Sequence, residues 1–217
     1  MHGYLSSKEA WTAQIDYFSK FYRVTAIDLL GFGQSGNLRK PFSVGDYAKW
    51  LQGVLQALGL KKPHVIAHSF GCRVAVKMAS ENSRSFDKIV LTGPAGVILN
   101  RGLKYKIKVK AYRAVKKIAP KFANRRFGSK EYRSLSPLMQ ESYKKIVNED
   151  LRACAKRVQN RVLIIEGEND RVTTKREAEE YLACFQNGKL LLIEGGHFAF
   201  VENALTFNLV TEEFLYE

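Results

Sequence analysis

Ala67-His68-Ser69-Phe70-Gly71 follows the short apolar run His64-Val65-Ile66-Ala67 and precedes Val74, Ala75, Val76, Met78 and Ala79, which can supply an apolar helix face. The stretch therefore reads as the end of a buried strand, a tight turn and the start of a helix. A serine in such a turn takes a cramped backbone conformation that lifts its hydroxyl clear of a sheet. Small residues two positions before and after it, Ala67 and Gly71, let strand and helix pass closely. The helix that follows aims its free N–H groups at the same point. Ser69 is accordingly a candidate nucleophile. Alone, the five-residue pattern is only moderately specific, and an ordinary strand-to-helix turn is the competing reading.

Two more distant stretches add weight. Val162-Leu163-Ile164-Ile165 reads as a buried strand followed by the polar loop Glu166-Gly167-Glu168-Asn169-Asp170, and the strand Lys189 to Ile193 is followed by Glu194-Gly195-Gly196-His197. Parallel strands end at one sheet edge, so an acid after one strand and a histidine after the next can converge on a serine after a third. The N-terminal Met1-His2-Gly3-Tyr4 and the loop Asp28-Leu29-Leu30-Gly31-Phe32-Gly33-Gln34-Ser35 complete the set. With the order Ser…Asp…His, these motifs resemble those of the α/β-hydrolase superfamily over nearly the whole chain.

The resemblance implies an α/β fold, a mostly parallel sheet with helices on both faces. It implies a Ser69, Asp170, His197 triad, with the backbone N–H groups of Tyr4 and Phe70 as an oxyanion hole. The spacing Gly167 to Asp170 matches the family's Gly-x-x-Asp and favours Asp170 over Glu166 and Glu168. The expected chemistry is hydrolysis of a carboxylic ester through an acyl-enzyme, with a small-molecule acyl substrate and no cofactor or metal. A thioester, a lactone or a carbon–carbon bond stays open as the target, and a catalytically impaired binding protein of the same fold is the alternative from another class. His2 is expected to brace its loop, His64 to start a strand and His68 to pack beside the turn.

The remaining elements alternate. Helices are expected over Ser7 to Ser19, Ser43 to about Leu58, Thr174 to Phe185 and Val201 to Leu215, and further strands over Arg23–Leu29 and Lys88–Thr92. Gly31-Phe32-Gly33-Gln34-Ser35-Gly36 matches the dinucleotide fingerprint letter for letter, but no helix starts inside it and no acid-terminated strand follows, so nicotinamide or flavin binding is not expected. In the family's topology the strands Arg23–Leu29 and His64–Ala67 flank another strand that leads into the His-Gly segment. The sequence has nothing upstream of Met1 to fill that place. The expectation is an incomplete chain with two unpaired facing edges, at about 1–3 kcal/mol for each orphaned backbone group, and a targeting signal upstream stays open.

Composition fits one domain with an insertion: 217 residues, 46% hydrophobic, can bury a sizeable core. Three scattered cysteines make neither a disulfide framework nor a zinc site, and a reducing cytoplasm is the default compartment. The charge is uneven. Residues 97–161 carry 19 Lys and Arg against four Asp and Glu, while the whole chain has a net charge of +14. This segment follows the strand ending at Thr92 and is expected to form a basic helical cap, with residues 1–96 and 162–217 as the core. Leu135, Leu138, Met139, Tyr143 and Val147 suggest one of its apolar faces. A solvated face, attraction of an anionic substrate and docking on an acidic membrane surface are three readings of that charge. Nucleic-acid binding is the weakest, because no recognised module is present. The oligomeric state is not legible.

Overall fold

The computed structural model describes residues 1–99, 132 and 134–217. Among these residues four strands, β1 (Val65–His68), β2 (Ile89–Thr92), β3 (Val162–Gly167) and β4 (Gly188–Ile193), form a parallel sheet in the order β1-β2-β3-β4. Ile66 is level with Val90, Val90 with Leu163, and Leu163 with Lys189. β2 and β3 are buried along their whole length, as a parallel sheet covered on both faces requires. All four strands deliver their C-terminal ends to one edge, where the site lies.

Alternation along the strands divides the core in two. Ala67, Ile89, Leu91, Val162 and Ile164 face one layer, with Leu51, Leu55, Val74 and Met78 from the helices. Val90, Leu163, Ile165 and Ile193 face the other, with Trp11, Phe18, Phe200, Phe207 and Phe214. Each fully buried aliphatic or aromatic side chain contributes roughly 1.5–3 kcal/mol. The first layer holds α2 (Val44–Ala57) and α3 (Phe70–Glu81); the second holds α1 (Thr12–Phe18), α7 (Ala199–Glu202) and α8 (Ala204–Tyr216). Local signals set several ends. Ser43 and Asp46 form a reciprocal capping box at the start of α2, and Gly59, at φ +64°, follows its end. Thr174 and Glu177 do the same for α6 (Lys175–Leu182).

Between β2 and β3 run α4 (Pro137–Val147) and α5 (Arg152–Ala155). The buried guanidinium of Arg73 on α3 donates to the carbonyls of Ile146 (3.0 Å) and Glu149 (2.7 Å), satisfying acceptors at the end of α4. The inner positions of α4 are Ser142 and Ile146, with Met139 and Tyr143 half-buried; Leu138, expected on that face, is exposed. Much of the expected cap, including the run Tyr105 to Ile118, lies outside the described residues.

One expected strand does not form. Residues 23–29 make no ladder, although their composition is that of a strand. A strand exists only with a partner for its N–H and C=O groups. Here the space toward β1 is a cavity of 350 Å³, lined by Met1, Trp11, Ala26, Ile27, Ile66 and Phe86 among others. Beside it, the Met1 ammonium donates to Ile66 O (2.6 Å), and His68 N–H donates to Met1 O (2.9 Å). That is the alternation of a parallel ladder, one residue long. Among the described residues no helix is long and apolar enough to cross a membrane.

Candidate active site

Ser69 sits between the last residue of β1 and the first of α3, at φ 48° and ψ −103°. A non-glycine residue at positive φ costs on the order of 1–3 kcal/mol and persists only where its surroundings enforce it. Three features enforce it here. Ser69 N–H donates to Thr92 O (3.1 Å), continuing the ladder with β2, and Cys72 N–H returns to Ser69 O (3.1 Å). Gly71 admits the N-terminal segment, since a Cβ there would lie 2.8 Å from Met1 O and 2.9 Å from His2 O. Phe70 opens α3, so its N–H points away from the helix toward the sheet edge.

Asp170 and His197 meet directly: His197 Nδ1 lies 2.7 Å from Asp170 Oδ2. The carboxylate also accepts from Val172 N–H (2.6 Å), Thr173 N–H (3.0 Å) and the Thr173 hydroxyl (2.9 Å). Burial alone would raise its pKa, but the hydrogen bonds outweigh burial and hold it well below the usual carboxylate range. Because Asp170 is acceptor-only when ionised, Nδ1 of His197 is the protonated nitrogen, and Nε2 is left for another partner. The Thr173 hydroxyl also lies 3.2 Å from His197 Nδ1, bracing the pair. Its spacing, Asp-x-x-Thr, was visible in the sequence and went unread.

The links between Ser69 and His197 run through His68 and Gly93. His68 Nε2 lies 2.9 Å from His197 O, and the two rings stand 4.7 Å apart. A Cβ on Gly93, the residue after Thr92, would lie 3.0 Å from His197 Nδ1. Burial, followed by the neighbouring His197, pushes the His68 pKa down to about 3, so this ring is neutral and serves packing. His2 braces its loop as expected. Its Nδ1 lies 2.7 Å from Gly3 O and its Nε2 accepts from Leu29 N–H (2.9 Å), which fixes a neutral tautomer. Gly3 is pressed against His68; a Cβ there would lie 2.7 Å from its Nδ1.

Tyr4 and Phe70 come together, their ring centroids 5.5 Å apart, with Phe32 against both. The Tyr4 hydroxyl donates to Met139 O of α4 (3.2 Å). α4 thus stands directly over the N-terminal loop. The chief departure from the sequence reading concerns Glu166. It is not in a polar loop but within β3, level with Leu192 and fully buried. Cys72 is a buried thiol donating to Ala67 O (3.1 Å), with its pKa pushed up by burial. No cluster of three metal-ligating side chains occurs among the described residues.

A parallel sheet with a strained serine at a strand-to-helix turn, and an acid and a histidine at the same edge, defines an α/β fold of the hydrolase type. The family described as alpha/beta hydrolase fold matches residues 1–116, and the chain belongs to that family. Among curated proteins, it is 33% identical over 112 residues to the "Probable lysophospholipase BODYGUARD 4" of Arabidopsis thaliana, covering 46% of this chain and 27% of that protein. It is 37% identical over 71 residues to an (E)-2-((N-methylformamido)methylene)succinate hydrolase of Acinetobacter baylyi, covering 33% of this chain and 27% of that protein. The chain spans about a quarter of the length of the curated relatives it matches. An esterase from Exiguobacterium antarcticum superposes with a TM-score of 0.79 at 20% identity, over 100% of this chain and 90% of that one. The enol-lactonase from Burkholderia xenovorans gives a TM-score of 0.77 at 18% identity, over 100% and 89%. These two likenesses establish the fold.

Proposed function

We propose that this chain carries a serine hydrolase site that cleaves a carboxylic ester through an acyl-enzyme. The observation that carries the reading is the 2.7 Å Asp170–His197 pair at the same sheet edge as the strained Ser69. Ser69 Oγ attacks the carbonyl carbon while His197 Nε2 takes its proton. The alcohol leaves with that proton, and water, activated by the same imidazole, then releases the acid and regenerates Ser69. Asp170 keeps the imidazole in the tautomer with Nε2 free and stabilises its charged form. The N–H groups of Phe70 and Tyr4 receive the oxyanion, each donor worth about 2.7–4 kcal/mol in the transition state.

Residues 97–161 form, in this reading, a basic cap that draws an anionic acyl substrate toward the site. The charge balance of the segment supports it, as does the contact of α4 with Tyr4. The lysophospholipase relatives suggest a lipid ester bearing a charged headgroup, and an acidic membrane surface is the corresponding partner. Cys72, Cys154 and Cys184 are all free, which fits a reducing compartment such as the cytoplasm. Turnover of p-nitrophenyl esters of increasing acyl length, beside a lysophospholipid, tests the function. Hydrolysis that vanishes in Ser69→Ala supports it; unchanged turnover in that variant removes it.

A further inference from the structure

Glu166 is a fully buried carboxyl with no part in that mechanism. Neither of its oxygens accepts a hydrogen bond from any N–H or O–H among the described residues; the adjacent Gly167 N–H does not reach bonding geometry. The polar group it faces is the Asp170 carboxylate, four residues on, at the mouth of the same strand. Two ionised carboxylates in contact repel, whereas one proton between them makes a strong hydrogen bond. Asp170 already receives two N–H donors, the Thr173 hydroxyl and His197, all of which favour its ionised form. The shared proton therefore belongs to Glu166.

We propose that Glu166 is a positioning residue for the proposed triad: its carboxylic acid donates to the Asp170 carboxylate and, with Thr173, fixes the face that this carboxylate turns to His197. This assignment rests on the serine hydrolase reading given above. Burial first, then the hydrogen bond and charge of Asp170, push the Glu166 pKa up to about 10, in keeping with a group that stays neutral while its neighbour is ionised. The other titratable groups acting on it are Glu177 at the start of α6 and Cys72 of α3. Glu177 adds to the upward push, and Cys72 is itself held as a neutral thiol. A glutamine at position 166 keeps a donor of nearly the same shape. A leucine keeps the volume and removes the donor.

Three readouts on the full chain test this. Infrared difference spectra of wild type against Glu166→Gln at neutral pH should contain a carboxylic-acid C=O band, which carboxylates lack. With p-nitrophenyl acetate, Glu166→Gln should keep kcat/KM within about threefold, while Glu166→Leu loses roughly 10–100-fold, the range for removing an outer-shell partner. The acidic limb of the Glu166→Leu profile should also move to higher pH. Asp170, short of one donor, becomes more basic and holds the imidazolium more tightly. A packing role alone would lower the rate without moving that limb. No acid band, a Gln variant as impaired as the Leu variant, or an unshifted limb overturns the proposal. If Glu166→Leu does not fold, the infrared band and the Gln variant decide. A fluorophosphonate that fails to label wild type defeats the hydrolase reading, and the positioning role with it. Labelled wild type with a failed Glu166 test defeats the positioning role alone.

Discussion

The carboxyl edge of the sheet and the segment 23–29 are built from similar residues and end differently. At the edge, β1, β2 and β3 are paired, and the glycines around Ser69 and His197 have no room for a side chain: Gly71 against Met1, Gly93 against His197, Gly3 against His68. Segment 23–29 has the valine, threonine and isoleucine of a strand, yet it makes no ladder and borders a 350 Å³ cavity. Strand composition is a preference for a half-buried pleated surface, and the partner decides whether it is realised. Strain of the kind stored at Ser69 is sustained by the paired region.

Ser69→Ala is expected to produce the largest change at the paired edge, a loss of turnover on the order of 10⁶-fold, measured by aryl-ester hydrolysis. Asp170→Asn keeps the shape but presents a donor where His197 needs an acceptor, so turnover should fall about 10⁴-fold while thermal unfolding stays cooperative. A loss under tenfold would mean that the pair at the edge does not act on Ser69.

Stability should separate the two regions directly. Ile164→Ala, in the fully buried middle of β3, should cost about 4 kcal/mol in urea unfolding, within the 2–5 kcal/mol usual for such truncations. Ile27→Ala, half-buried beside the cavity, should cost less than about 2 kcal/mol, because part of its surroundings is already empty. Equal costs would break the comparison.

A further difference lies in pH dependence. Glu166 has a folded pKa raised above its ordinary 4.5. Between pH 4.5 and about 10 the unfolded chain therefore holds fewer protons at this group than the folded one. Its contribution to stability is full below 4.5 and declines as pH rises, by roughly 1 kcal/mol per pH unit for one proton. Asp170 has the opposite sign. Its folded pKa is depressed, so its contribution is full above the ordinary value of 3.8 and is lost on further acidification. Unfolding curves between pH 6 and 9 should flatten in Glu166→Gln relative to wild type.

Sequence alone carried the serine turn, the placement of Asp170 and His197 after neighbouring strands and the parallel sheet, because each was a local pattern repeated at the same edge. Position 166 was misread for a physical reason. A glutamate beside Gly167 in Glu-Gly-Glu-Asn-Asp has the chemistry of a polar loop, and only the ladder to Leu192 reveals it as part of a buried strand. The bracing by Thr173 and the close approach of Gly93 to His197 depend on contacts between segments far apart in sequence. The strand expected over Arg23–Leu29 did not form because a strand is a property of two segments, and composition describes one.

The most direct test of the account is the reaction of the chain with a fluorophosphonate, followed by mapping of the modified peptide. A single adduct on Ser69, absent from Ser69→Ala and slowed in His197→Ala, is the predicted result. No adduct, or an adduct on another serine with Ser69 untouched, would contradict it.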